Sequence, residues 1–155
     1  PTWSNVELRL EMLNKPTAGM AQPLPAGEVA FYLKAEQEEK TDLWLGEDRL
    51  PAAAVGDTLK FRVGKAFDVK GKRTVLEVSR KSRKYHQERI EVLLKNAKDH
   101  QIAVEVIETL PGNNWEIIKS NFSHRKLDNR RVMFSIPVAA HKTSRLVYTF
   151  RQTFR

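Results

Sequence analysis

Between Lys65 and Arg89 the chain carries nine basic side chains and three acidic ones. Lys65, Lys70, Lys72, Arg73, Arg80, Lys81, Arg83 and Lys84 could together hold a polyanion, by neutralising phosphates, sulfates or carboxylates that repeat along a polymer. Arg125, Lys126, Arg130 and Arg131 form a second basic group. Charges of this kind also project from strands simply to keep a β protein soluble, and charge alone does not separate the two roles. The imbalance is local. Residues 1–58 hold 5 Lys/Arg against 10 Asp/Glu, whereas residues 59–155 hold 22 against 9.

Other chemistry is harder to assemble. His86, His100, His124 and His141 are not spaced as metal ligands, and no HExxH occurs. Their ordinary role is at the surface or in turns. Glu47-Asp48 is a pair of carboxylates, but a calcium loop needs more spaced acids than these two. The simpler reading is a turn in which Asp48 accepts hydrogen bonds from nearby amides. A hydrolase built on Asp48 and a histidine would need the two brought together, and nothing in the spacing does so. A nucleophile elbow, a P-loop and a GxGxxG are all missing. Trp3, Trp44 and Trp115 could stack sugars or bases. They are isolated and stand beside apolar neighbours, so packing in the core or at its rim is expected. No cofactor is implied. With no cysteine there is no disulfide, thiolate zinc site or Cys nucleophile. No apolar run approaches the roughly 18 residues that suggest a membrane span.

These side chains must be positioned by strands. Val6, Leu8, Leu10 and Met12 alternate with Glu7, Arg9 and Glu11; Leu59, Phe61 and Val63 alternate with Lys60 and Arg62. Ile102, Val104, Val106 and Leu146, Tyr148, Phe150 repeat the pattern. A period of two puts alternate side chains on opposite faces of a strand. Strands are expected at 5–13, 29–33, 41–45, 58–63, 87–95, 102–109, from Trp115, and at 131–138 and 145–154. Glu36-Gln37-Glu38-Glu39-Lys40 reads as the turn of a hairpin. Gly46-Glu47-Asp48, Val55-Gly56-Asp57, Asn96 to His100 and Leu110-Pro111-Gly112-Asn113-Asn114 read as further turns. Gly64 and Lys70-Gly71-Lys72 bracket Phe67 and Val69. Residues 73–94 also show helical spacing, but no capping box opens a helix there, and two strands are preferred.

The expected fold is all-β: an antiparallel β-sandwich of about nine or ten strands with immunoglobulin-like layering. One domain over 1–155 is expected, with a possible seam near 64–86, where acidic composition gives way to basic. The expected core is Leu8, Leu10, Val29, Phe31, Leu45, Phe61, Val63, Phe67, Val92, Val104, Val106, Ile117, Phe134, Tyr148 and Phe150.

The wording of several segments is distinctive. They are Leu24-Pro25-Ala26-Gly27, Leu45-Gly46-Glu47-Asp48-Arg49-Leu50 and the run from Leu59 to Val69. Ile90 to Asn96, Val104-Glu105-Val106, and Leu110-Pro111-Gly112 with Trp115-Glu116-Ile117 complete the set. In this order the set resembles the C-terminal domain of unknown function of bacterial mucoidy-inhibitor-like proteins, over residues 5–152. The resemblance implies a C-terminal piece of a longer polypeptide with an N-terminal β domain and a coiled coil. It favours the periplasm or cell envelope, and it brings no catalytic residues. The chain departs from the family at Pro51-Ala52-Ala53-Ala54, where Asp-His-Thr-Pro is usual, and at Asn113-Asn114, where a single Asp is usual. A chain that begins Pro1-Thr2-Trp3 is likewise expected to be part of a longer protein.

Two functions are therefore expected. The first is a non-catalytic structural or protein-interaction domain, binding other domains of its own chain or an envelope protein. The alternative is binding of an anionic polysaccharide or nucleic acid through a basic face.

Overall fold

A computed structural model describes residues 1–16, 22–34, 41–82 and 85–154, with only the backbone of 81 and 82. The expected turn at 36–40 lies outside the described residues. Among the described residues ten strands follow one another: β1 (Ser4–Leu13), β2 (Gly27–Leu33), β3 (Leu43–Leu50), β4 (Thr58–Ser82), β5 (Tyr85–Asn96), β6 (Ile102–Thr109), β7 (Trp115–Ser120), β8 (His124–Lys126), β9 (Arg131–Val138) and β10 (Thr143–Thr153). No α-helix occurs among the described residues. The fold is all-β, antiparallel and sandwich-like, as the alternation predicts. The sheets are ordered β1-β4-β5-β10-β7, β2-β3 and β6-β9-β8.

The chain forms two compact units. The larger comprises residues 67–155 with 1–5, and the smaller comprises residues 6–66. The division between Ala66 and Phe67 falls within the 64–86 stretch where composition changes.

In the larger unit β5 lies between β4 and β10, and its register places Ile90 opposite Tyr148 and Val92 opposite Leu146. Their side chains point to one face, and β9 supplies Val132, Phe134, Ile136 and Val138 from the second sheet. All eight are buried. Phe134 stacks on Tyr148 with ring centroids 4.9 Å apart, which ties the two sheets together. An ion pair lies at the edge of this interior, with the Arg73 side chain 44% exposed and that of Glu108 11%. Glu108 follows Val104 and Val106 on the inward face of β6, where an apolar residue would continue the pattern. Arg73 Nε donates to both its carboxylate oxygens at 3.0 Å. The Tyr148 hydroxyl is buried without a hydrogen bond of ordinary geometry. Burial, and then the Glu108 carboxylate, push its pKa far up, so it stays protonated.

The smaller unit has a core of Ala53, Leu59 and Phe61, with Met12, Leu24, Val29, Phe31 and Leu50 packed against it. Phe31 and Phe61 meet at 5.3 Å between centroids. Asn14 closes the end of β1. Its Nδ2 donates to the carbonyls of Gln22 and Ala54, and its backbone bonds Asp57 and Gly56.

Several expectations need correction. Gly64 and Gly71 do not end strands: β4 runs unbroken for 25 residues through both. Gly46-Glu47-Asp48 lies inside β3 rather than in a turn. A glycine within a strand also serves close backbone approach, and both Gly46 and Gly64 do so. Phe67 is 74% exposed, and Leu8 and Leu10 are exposed as well. Alternation gives a strand two faces without saying which is covered.

Candidate anion-binding face

The fold separates the twelve basic residues proposed from sequence. Arg83 and Lys84 lie outside the described residues, as does the side chain of Lys81. Lys65 is exposed in the smaller unit. Arg73 points inward to Glu108, so its charge is already matched. Arg131 Nε bonds Asp128 Oδ2 at 2.6 Å, and Arg130 gives its backbone N–H to the same carboxylate. Lys126 caps the Trp115 ring at 4.8 Å from its centroid, a cation–π contact. Arg125 lies beside the Met133 sulfur. Arg80 borders an open cleft with Tyr85, His86, Glu88, Pro111, Gln152 and Phe154.

Lys70 and Lys72 are different. Val75 faces buried Ile90 across the β4–β5 pair and Arg73 faces buried Val92, so the residues between them point outward. Lys70 then stands directly opposite Lys95 of β5, and Lys72 opposite Leu93. The next strand continues the rows with Thr143 and Arg145. Two acids share this region. Glu91 pairs with Arg145, and Asp68 accepts from Lys98 Nζ at 2.6 Å. Lys70, Lys72 and Lys95 have no hydrogen-bonded or ion-paired partner among the described residues. Sequence does not single out Lys95, because its neighbour Lys70 lies 25 residues away and only strand register joins them.

The remaining candidates do not converge. His86 Nε2 lies 2.6 Å from Glu88 Oε1 and its ring sits edge-on to Phe150. His100 bonds Asp99, and His124 packs on Phe134. Among the described residues no group of three His, Cys, Asp or Glu could hold a metal ion. Asp48 accepts the backbone N–H of Arg62 and of Arg49, each at 2.8 Å. Trp44 is exposed rather than packed, and Trp115 donates from Nε1 to Asn129 O at 2.7 Å.

These amide contacts set a pH response. The Arg62 N–H, then that of Arg49, hold the Asp48 carboxyl below its ordinary 3.8. The Arg130 N–H and the Arg131 guanidinium do the same for Asp128. A carboxyl with a depressed folded pKa stabilises the fold above its unfolded value, and that stability is lost as pH falls through the folded value. The urea midpoint should therefore stay level from neutrality to about pH 4 and decline below it. Asp48→Asn should flatten that decline. An acid limb identical to wild type would show that Asp48 contributes nothing to it.

Compared with known proteins, the chain matches no family model, no curated protein and no solved structure. The family resemblance rests on its ordered motifs alone. No helix among the described residues is long and apolar enough to cross a membrane.

Proposed function

We propose that this chain is a non-catalytic interaction module of a bacterial envelope protein, and that it meets a protein partner through the end of the β2–β3 hairpin. The observation that carries this reading is a cross-strand apolar quartet. Tyr32 pairs with Trp44, and Leu33 with Leu43. All four are more than half exposed, from 54% to 59%. Consecutive pairs lie on opposite faces of the ribbon, so apolar surface is presented on both sides. Folding gains nothing from leaving two rings and two leucines in water. Contiguous apolar surface of this kind marks interaction sites, and Trp and Tyr are the residues most often found at their energetic centre. The resemblance supports a partner within the envelope, in the parent polypeptide or beside it.

A photo-crosslinking residue placed at position 44 or 32 of the full-length protein in cells should capture one discrete partner. The same residue at Glu105, on an outward face of β6, should not. Trp44→Ala should weaken that association by about 2 kcal/mol, roughly thirtyfold. Equal capture from positions 44 and 105, or a hydrolytic activity in the isolated chain, would overturn the proposal.

A further inference from the structure

The outward face of β4, β5 and β10 in the larger unit carries an unmatched group of cations, independent of the hairpin. This unit holds 19 Lys/Arg against 9 Asp/Glu. Like charges placed directly opposite on neighbouring strands repel, yet Lys70 and Lys95 occupy such a pair, with Lys72 two residues along the same face. Neighbouring strands are about 4.8 Å apart and alternate residues of a strand about 6.8 Å apart. The three ammonium groups therefore stem from adjacent points on one face of the sheet. The nearby carboxylates, Asp68 and Glu91, are each engaged by another cation.

We infer that this face binds a linear polysaccharide bearing carboxylates or sulfates on successive sugars. A flexible lysine matches a point charge and needs no fixed fork geometry, which suits anions that repeat along a chain. Thr74 and Thr143 lie on the same face and offer hydroxyls to sugar hydroxyls. Single-stranded nucleic acid fits less well. Its binders stack successive bases on several aromatic rings, and the outward residues of β4, β5 and β10 beside these lysines are Thr74, Leu93, Glu91, Thr143, Arg145 and Val147, none of them aromatic; a single exposed ring, Trp3, adjoins Ser4, whose hydroxyl donates to Gly71 O.

The test uses the whole chain and fluorescent oligosaccharides of heparin and of polygalacturonate, read by anisotropy over a salt series. Wild type should bind them, more weakly as salt rises. The triple variant Lys70→Gln, Lys72→Gln, Lys95→Gln should lose about tenfold or more in affinity and show a shallower salt dependence. The charge-matched triple Arg125→Gln, Lys126→Gln, Arg130→Gln should stay within about threefold of wild type. Lys72 is half-buried and the other five are exposed; surface substitutions of this kind usually leave stability nearly unchanged, and matching urea midpoints for the two triples show that a loss of binding reports the face itself. Equal losses in the two triples would reduce the effect to net charge and overturn the site. No binding by wild type at low salt would overturn it outright. Tighter binding of an oligo(dT) strand of equal charge would overturn the choice of polysaccharide.

Discussion

Asn96→Asp should lower the melting temperature of the larger unit by about 12–24 °C, from a loss of about 3 kcal/mol in a unit of about 90 residues. Asn96 is fully buried at the end of β5. Its Nδ2 donates to the carbonyls of His100 at 2.9 Å and of Val138 and Ala139 at 3.2 Å. Its Oδ1 accepts the Lys98 N–H at 2.9 Å, and its own N–H bonds Lys142 O. One amide thus fastens the turn after β5 and the end of β9. An aspartate places oxygen against three carbonyl oxygens and buries a charge beside them. Asn96→Ala leaves the same carbonyls unpaired but adds no charge, so it should cost less. The order wild type, alanine, aspartate at pH 7 is the expected result in thermal and urea unfolding. The aspartate variant should also recover stability as pH falls, since burial raises a carboxyl pKa and protonation removes the charge. An aspartate variant as stable as wild type at neutral pH would remove Asn96 from this role.

Gly46→Ala should unfold the smaller unit. A Cβ built at Gly46 would lie 1.9 Å from the Val63 carbonyl oxygen, and one at Gly64 would lie 2.6 Å from Leu45 O. The obstacles are backbone atoms, so a side-chain rotation cannot clear them. Each glycine also has a positive φ, 159° and 151°, in a range that residues with a side chain seldom adopt. β3 and β4 approach backbone to backbone at this point, and a methyl group forces them apart. The separation strains the contact between Phe31 and Phe61 and the small core around it. Overpacking alone costs about 1–3 kcal/mol, and the backbone strain adds to it. A unit of about 60 residues has little stability in reserve. Limited proteolysis of the whole chain should therefore cut within residues 6–66 of the variant while residues 67–155 persist. Gly27→Ala is the control, because a Cβ there meets nothing within 4 Å. Wild-type resistance to protease in Gly46→Ala would disprove the crossing as a constraint.

The basic character of the candidate face was legible in sequence, but its membership was not. Lys70 and Lys72 share parity along one strand, and alternation shows that they point the same way. Arg73 has the opposite parity, but density of charge ignores direction and does not separate it from them. It turns inward to Glu108, a residue whose place among Val104 and Val106 hinted at burial. Lys95 joins the face only through pairing with β4. The apolar quartet was hidden for a related reason. Trp44 between Leu43 and Leu45 looks like a core residue, whereas hairpin pairing sets it against Tyr32 and leaves both more than half exposed.

What the sequence alone determined is local: a β chain, because period-two alternation cannot sit on a helix, and the places of β6, β9 and β10, where that alternation is regular. Tertiary structure decided which face of each strand is covered, which glycines allow strands to cross instead of ending them, and which cations keep a carboxylate. Each of these depends on a partner far away in sequence. Alternation is a property of one strand, whereas burial and charge matching belong to pairs of strands and exist only once register is set.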